Sequence, residues 1–337
     1  MESSWFGYAS SIELLSSDMT TDSKFSKEQI IEIDGIKAEV VYHQAFGVAA
    51  NSFIVQLPGI TEVLSTRQGL KPTRLAINNY VPPELYEYVH NQSKHHKDYY
   101  KDLLKEVFDE YKVDPNESVF LSTGVSMKNL CWAKEIYQEL WVITFTTAGV
   151  KNNAMSIGRD IATGIERNGQ FEKIGTINNI IVSNASFDQA AMASILINAT
   201  EAKNVALQEL DIRSSSNKEW LATGTGTDQV IVIPGNGEHC TYVQGHTRIG
   251  EMIAKTVIDS TIGAIKKSIE DHNNTKSTQF VRRSQMAYQY KSLNKEQLEK
   301  INILENKLDR TIVALEPINL KWVDLSRDQL KEIQKLE

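Results

Sequence analysis

Four segments rich in glycine, threonine and asparagine are the stretches of this sequence best suited to bind a ligand or a substrate. Glycine lets backbone N–H groups approach a ligand closely, while threonine and asparagine side chains add neutral hydrogen-bond donors and acceptors. Each segment lies at the end of a predicted strand, and one alone would be typical of a tight connection. Four of them in one domain predict a shared polar cavity where the strand ends converge. The segments are Leu121–Val125, Thr146–Ala154, Gly175–Asn178 and Ala222–Asp228.

The glycine and threonine repeat in Ala222–Asp228 also suggests a nucleotide-binding loop, but its context argues against one. A dinucleotide fingerprint follows a strand and opens a helix, so that the phosphates meet the helix N-terminus. Here the glycines precede a predicted strand over 228–233, and no helix follows at once. Gly-Lys-Ser/Thr, the signature of a P-loop, is absent from the sequence.

Two titratable side chains near these segments could act in acid–base catalysis. Asp228 ends the glycine–threonine loop and His246 lies just before a predicted helix, so the two could meet across the cavity. The simpler interpretation of His246 is a helix-cap neighbour whose imidazole is hydrogen-bonded. The sequence has no G-x-S-x-G segment, so a nucleophile elbow is not indicated.

Further charged and metal-ligating types are less specific. Glu201 and Lys203 lie on either side of the small-residue face of a predicted helix, where ordinary surface charges are an equally good interpretation. A metal site built from His239, Cys240 and His246 matches no standard ligand spacing.

Hydrophobic periodicity and turn signals predict the strands and helices that hold these residues. Asp34-Gly35 is favoured in tight hairpin turns, and Pro58-Gly59 separates two further strands. Ser186 with Gln189 three residues later predicts a capping box at the start of a long helix. The predicted strands cover 28–33, 38–43, 52–57, 61–65, 73–79, 118–122, 140–147, 176–183, 228–233 and 311–315. The predicted helices cover 97–111, 126–138, 187–210, 248–269, 295–309 and a short segment after Ser326.

This order of elements predicts an α+β fold in which mixed β-sheet is covered by helices and a polar cavity lies at the strand ends. One large domain over residues 1–270 accounts for the strands and the long helices. Residues 271–337 are expected to form a linker and a C-terminal helical appendage, because a polar stretch around Arg282-Arg283 separates them from the rest.

Composition excludes several classes of function. The chain has 337 residues, with 36 Lys and Arg against 43 Asp and Glu, a net charge of -7 that offers no footprint for nucleic acid or an anionic membrane. Membrane insertion is not expected, since no run approaches the roughly 18 apolar residues of a spanning helix. Two cysteines are too few for a disulfide framework. The first residues lack the charge and apolar region of a signal peptide, and a cytoplasmic location is therefore expected.

The ordered set of segments resembles the adenosylcobinamide amidohydrolase family (CbiZ type), over roughly residues 30–268. No single piece is decisive, but the set in this order is specific. The matching stretches are 63–65, 76–81, 146–154, 158–160, 175–178, 199–203, 222–228 and 246–251.

The resemblance implies salvage of incomplete corrinoids, by hydrolysis of the amide that joins the aminopropanol arm of adenosylcobinamide to the corrin ring. Under this hypothesis Asp228 or Glu201 is the candidate general base, His246 the candidate acid or orienter, and Thr227 the candidate nucleophile. The partner is a corrinoid substrate whose cobalt is not a protein cofactor, so no cofactor and no metal ligands are expected. A homo-oligomer is compatible with the sequence. The candidate substrate-binding residues are Asn78, Thr147, Gly149, Asn152, Asn153, Asn178, Lys203 and Thr225.

Two departures from the family pattern keep alternatives open. The polar insertion around 84–116 is longer than expected, and residues beyond about 270 match nothing recognisable. Either could cover the cavity and change the substrate. The alternatives are an amidase for another imported metal chelate, and a domain that binds a corrinoid without cleaving it.

Overall fold

The computed structural model describes residues 5–7, 25–93, 99–161, 176–276, 287–290 and 315–318. The chain divides into two units, residues 1–271 and 272–337. In the second unit, two short strands pair with each other antiparallel. The helices predicted over 295–309 and after Ser326 lie outside the described residues.

The strands and helices are numbered here in chain order. The strands are β1 (Trp5–Gly7), β2 (Ser26–Ile33), β3 (Ile36–Ala45), β4 (Val48–Ser65), β5 (Gly69–Tyr80), β6 (Ser118–Thr123), β7 (Cys131–Tyr137), β8 (Leu140–Ala148), β9 (Ala154–Met155), β10 (Ile177–Ser183), β11 (Gly224–Thr225), β12 (Gln229–Ile233), β13 (Ala287–Tyr290) and β14 (Leu315–Ile318). The helices are α1 (Tyr86–Ser93), α2 (Tyr99–Leu103), α3 (Lys105–Tyr111), α4 (Gln189–Glu209) and α5 (Arg248–Lys276).

One mixed sheet contains ten of the described strands. Its order is β1-β7-β8-β10-β12-β4-β3-β2, with β5 pairing to β4 and β6 pairing to β5. The pairs β10–β12 and β5–β6 are parallel, while the other pairs are antiparallel. Strand β4 joins the two halves of the sheet, because its first part pairs with β3 and its last two residues pair with β12.

The length of β4 corrects a sequence prediction. Strands were expected separately over 52–57 and 61–65, whereas the structure has one strand of 18 residues. Its pairing with β5 shifts register between Gln56 and Thr61. Pro58 lies within this irregularity, where its missing N–H removes no regular ladder bond.

Apolar side chains divide the first unit into layers of helix, sheet, sheet and helix. The inner faces of the two sheet halves enclose one core, in which Phe53 of β4 packs near Phe145 of β8 and Ile180 of β10. The outer face of β4, β5 and β6 packs against α2 and α3, and the outer face of β8, β10 and β12 packs against α4 and α5. The predicted α+β fold with mixed sheet covered by helices is confirmed.

Local turn chemistry explains the first hairpin. Asp34 and Gly35 connect β2 to β3 with φ values of 49° and 77°. Two successive residues with positive φ are what a tight hairpin turn of the favoured hand requires, and Asp-Gly adopts them at low cost. The predicted hairpin is confirmed.

Three helix predictions need correction. Residues 126–138 were expected to form a helix, but only Met127–Asn129 form a short 3-10 turn and β7 follows, paired along its whole length with β8. The helix predicted over 97–111 is interrupted at Leu104, between α2 and α3. Helix α4 is capped by Asp188, whose carboxylate accepts the Ala191 N–H at 2.7 Å, and not by Ser186.

Helix α5 begins where the sequence predicted, after Thr247. The Thr247 hydroxyl accepts the Gly250 N–H at 3.1 Å, which satisfies one of the unpaired donors at the helix start. Within the part of the chain that the structure describes, no helix has both the length and the hydropathy to cross a bilayer.

Candidate functional site

A cavity of about 280 Å³ lies between α4 and the first residues of β10 and β12. The Ala222–Asp228 segment forms one side of this cavity, which lies at strand ends as predicted. The prediction that four segments share it is wrong, because the lining includes no described residue of Leu121–Val125, Thr146–Ala154 or Gly175–Asn178. Of the sequence-predicted site residues, the cavity brings together Lys203, Thr225, Thr227 and Asp228. The remaining lining residues are Ile157, Asn179, Ala199, Thr200, Gly226 and Val230.

Lys203 and Asp228 form an ion pair at the wall of the cavity, called the buried ion pair below. Lys203 Nζ lies 2.5 Å from Asp228 Oδ2, and the two side chains are 8% and 13% exposed. A charge removed from water is costly unless it is paired and hydrogen-bonded. Each charge therefore has its partner at hydrogen-bond distance, in a place that water scarcely reaches.

Asp228 is fully occupied by hydrogen-bond donors. Besides Lys203, its carboxylate accepts the Ile177 N–H at 3.0 Å, the Thr225 N–H at 3.0 Å and the Thr225 hydroxyl at 2.5 Å. A carboxylate offers about four lone-pair sites, so these four donors fill it. Asp228 can therefore act as a base only toward a proton already bonded to it, and the Thr225 hydroxyl holds such a proton.

Gly224 lets the backbone approach the buried ion pair. A Cβ atom at this position would overlap Asp228 Oδ2 and would lie 2.9 Å from Lys203 Nζ. The same residue pairs with Met155 of β9, and Thr225 pairs with Ala154. This pairing joins two of the glycine-rich segments recognised in the sequence.

A second polar cluster lies at one end of the core between the sheet halves and does not line the cavity. Asn78 Nδ2 donates to the Thr147 hydroxyl at 2.8 Å, and Asn178 Nδ2 donates to Asn78 Oδ1 at 2.8 Å. All three residues are at most 2% exposed. Asn178 follows Ile177, whose N–H binds Asp228, so this inner amide cluster holds the start of β10 in place behind the site.

The turn after β8 contributes structure rather than cavity lining. The Gly149 N–H donates to the Thr176 carbonyl at 3.2 Å, and a Cβ on Gly149 would come within 2.8 Å of a Val125 methyl group. Asn152 is exposed and Asn153 is partly exposed. The sequence predicted all three as substrate contacts, and the structure places none of them among the residues that line the cavity.

The structure does not bring Glu201 or His246 to the buried ion pair. Glu201 is exposed on α4 and lies outside the cavity lining. His246 is exposed in the loop before α5, and carbonyls on both sides of it, at residues 243 and 250, accept hydrogen bonds from Asn198. Arg248, two residues after His246, stacks on Tyr137 beside the β7–β8 turn. That turn lies at the opposite end of β8 from Thr147, so His246 faces a different part of the surface.

Metal-ligating side chains are dispersed among the described residues. No three His, Cys, Asp or Glu side chains in the described ranges lie close enough together to hold an ion. His239 instead approaches the Ser186 hydroxyl at 3.3 Å.

The sequence prediction missed two residues that line the cavity with polar side chains, Asn179 and Thr200. Thr200 lies on α4 within the recognised stretch 199–203. Asn179 is 2% exposed and its Nδ2 donates to the Thr146 hydroxyl at 2.7 Å. The available signal was its polarity on an otherwise apolar strand, one position beyond the segment that ends at Asn178.

A family model and one named relative point to the same family. The model of the adenosylcobinamide amidohydrolase family matches residues 36–273. The uncharacterized protein MJ1613 of Methanocaldococcus jannaschii is 38% identical over 71% of this chain and 97% of its own length. A protein of Methanosarcina mazei named adenosylcobinamide amidohydrolase is 30% identical over 42% of this chain and 62% of its own. Among solved structures, the PH0078 protein of Pyrococcus horikoshii matches at 8% identity over 74% of this chain and 89% of that one, with a TM-score of 0.36.

Proposed function

The chain belongs to the adenosylcobinamide amidohydrolase family, and on this premise we propose that it hydrolyses the amide joining the aminopropanol arm of adenosylcobinamide to the corrin ring. The products are adenosylcobyric acid and free aminopropanol. The observation that carries the proposal is the buried ion pair with the Thr225 hydroxyl at the wall of a small polar cavity. These residues lie within the stretch that the family model matches.

The size of the cavity determines how such a substrate would bind. Pockets for drug-sized ligands measure roughly 300–1,000 Å³, and this one is about 280 Å³. It can hold the scissile amide and its short arm, while the much larger corrin ring stays at the mouth. Thr200 and Thr227 line the cavity there. The Thr200 hydroxyl donates to the Leu196 carbonyl at 2.8 Å, so its oxygen can still accept from an N–H of the amides that fringe a corrin ring.

Lys203 is the proposed electrophilic residue. Hydrolysis of an unactivated amide requires at least about 8 kcal/mol of transition-state stabilisation. A preorganised donor aimed at the developing oxyanion supplies a large part of it, because the site is dry and the donor needs no reorientation. Asp228 holds the Lys203 ammonium in position, and the remaining N–H groups of that ammonium are available for the carbonyl oxygen.

Thr225 is the proposed nucleophile, in place of Thr227. Asp228 takes the proton of the Thr225 hydroxyl as the oxygen attacks the carbonyl carbon, and it returns this proton to the departing amine. The acyl group then remains on Thr225 until a water molecule attacks its carbonyl carbon. Asp228 takes a proton from this water and passes it to the Thr225 oxygen as the acyl C–O bond breaks, which releases the acid and restores the hydroxyl. The 2.5 Å contact between the hydroxyl and the carboxylate supports this assignment.

The test uses the full-length purified chain with adenosylcobinamide and mass spectrometry of the products. We expect adenosylcobyric acid and aminopropanol together. A shift of the corrinoid spectrum without release of amine would instead identify a binding domain. Neither binding nor cleavage would point to another chelate amide.

Variants locate the chemistry. Thr225→Val and Asp228→Asn should each abolish most of kcat, whereas Thr225→Ser should retain turnover and show a corrinoid acyl adduct on the intact protein. Glu201→Gln is the matched control, because it neutralises an exposed carboxylate on α4. Loss of activity in Thr227→Val with full activity in Thr225→Val would overturn the choice of nucleophile.

A further inference from the structure

We propose that Asn179 recognises the N–H of the scissile bond and thereby makes the cavity selective for secondary amides. This inference rests on the proposed function for the identity of the bond, but its physical basis is a separate set of contacts on the side of the cavity formed by β10.

Asn179 lies at the centre of the sheet, where its direction is set by neighbours on both sides. It pairs with Thr146 of β8 and with Val230 of β12. Val230 lines the cavity as Asn179 does, and Lys203 of α4 approaches the same space from the helix layer. With 2% of its surface exposed, Asn179 meets a ligand only through this cavity.

A chain of buried hydroxyl groups determines which end of the Asn179 amide faces the cavity. Asn179 Nδ2 lies 2.7 Å from Thr146 Oγ1, and that atom lies 2.7 Å from Ser260 Oγ of α5. The Ser260 hydroxyl in turn donates to the Val257 carbonyl at 3.4 Å. Because a carbonyl can only accept, Ser260 donates outward, Thr146 donates to Ser260, and Asn179 must donate to Thr146.

At the neighbouring turn of α5, a second chain of hydroxyl groups has the same direction of hydrogen bonding. Thr144 of β8 lies 2.8 Å from the Thr256 hydroxyl, which donates to the Ile253 carbonyl at 3.0 Å. This second chain does not reach Asn179. The two chains of hydroxyl groups are alike in burial and chemistry, and only the first of them orients a residue of the cavity, Asn179.

The consequence is that Asn179 presents its carbonyl oxygen, an acceptor, toward the cavity. This oxygen accepts no hydrogen bond from another described residue. Lys203 presents a donor to the same space, so the pair is complementary to a secondary amide: the substrate carbonyl faces Lys203 and the substrate N–H faces Asn179. A ligand lacking the N–H leaves a buried acceptor unpaired, which is the arrangement that enzymes use to reject such analogues.

The experiment measures binding of two small probes that copy the arm. One is N-(2-hydroxypropyl)acetamide, and the other is the ketone in which CH₂ replaces the N–H. Ligand-observed NMR titration of the wild-type chain should give about 10-fold tighter binding of the amide. Asn179→Ala should bind both probes equally. Equal affinity of the wild-type chain for the two probes would overturn the proposal.

Thr146 and Ser260 are positioning residues and have a matched control. Thr146→Val should lose the preference for the amide, and Thr146→Ser should restore it. Thr144→Val removes an equally buried hydroxyl from the second chain of hydroxyl groups, which does not reach Asn179. This variant should keep the wild-type preference for the amide probe. Loss of the preference in Thr144→Val as well would mean that packing, and not the orientation of Asn179, sets it.

Because the probes test binding, the result is independent of turnover. A preference for the amide without hydrolysis of adenosylcobinamide would uphold amide recognition and reject the proposed function. Hydrolysis of adenosylcobinamide with no preference between the probes would support the proposed function and reject amide recognition by Asn179.

Discussion

Replacement of Lys203 by Met separates the contribution of the buried ion pair to stability from its contribution to catalysis. The Met side chain occupies similar space but leaves the Asp228 carboxylate without its cation, in a position where only 13% of that side chain is exposed. Breaking a buried pair by removing one partner costs roughly 3–5 kcal/mol. Three other donors still reach Asp228, so we expect a value near the lower end, about 3 kcal/mol.

The double variant Lys203→Met with Asp228→Asn provides the internal check. It holds no buried charge at the site, so about 2 kcal/mol of the lost stability should return, measured as the free energy of unfolding in guanidinium chloride. Turnover should not return, because the proposed oxyanion donor and the proposed base are both gone. For Lys203→Met alone, we expect kcat to fall by about 10²–10³-fold, the usual effect of removing one oxyanion donor.

Lys255→Met is the matched control. Lys255 pairs with Glu251 at 2.7 Å on α5, but both side chains are well exposed, at 52% and 38%. Solvent screens such surface pairs and they contribute little to stability, so neither stability nor kcat should change appreciably. The reasoning is refuted if Lys203→Met keeps kcat within about tenfold of the wild type, or if the double variant is no more stable than Lys203→Met.

Three further predictions test other parts of the structure. Burial lowers the pKa of His43 in the folded chain, so at a pH below the unfolded value of about 6.5 the unfolded chain binds a proton that the native chain does not. The free energy of unfolding should therefore decrease as the pH is lowered below that value, by at most about 1.4 kcal/mol per pH unit. His43→Gln should flatten this dependence of stability on pH. Gly224→Ala places a methyl group against the buried ion pair and should lower kcat about 100-fold. In Gly226→Ala the new methyl group meets only a flexible methionine sulfur at 3.3 Å, so kcat should be nearly unchanged. Equal effects of the two variants would contradict the argument that the backbone at Gly224 must approach the ion pair closely. Asp188→Ala should cost about 1 kcal/mol in unfolding free energy and Ser186→Ala much less, and the reverse order would restore Ser186 as the cap.

Sequence patterns predicted elements well where the determining forces are local. Asp34-Gly35 specifies its own turn conformation, and the small residues along α4, such as Ala199 and Ala206, repeat at the helical period and are buried as expected. The prediction failed at residues 126–138, because β7 is stabilised by pairing with β8 and by packing of Cys131 near Gly263 of α5. Those partners act through tertiary contact, which periodicity in a short window does not report.

The candidate site was predicted in part. Lys203, Thr225 and Asp228 were predicted because their types and their order in the chain match a family pattern, and the structure places all three at one cavity. The hydroxyl bonded to Asp228 is nevertheless that of Thr225. The sequence could not distinguish it from the hydroxyl of Thr227, which is only two positions away. Glu201 illustrates the same limit, since a carboxylate two positions from Lys203 on a helix points to a different side.

The amino-acid sequence is enough to identify the polar and glycine-rich segments, the family to which they belong, and the helices and turns whose signals are local. Which of those polar groups meet depends on how the strands and helices pack. Asn78 and Asn178 are bonded to each other 100 positions apart, and they are buried behind the site instead of lining it. Asn179, the next residue, faces the opposite side of the same strand and reaches the cavity. Neighbours in a strand thus have opposite environments, and only the layers packed on each face decide which of them a ligand can reach.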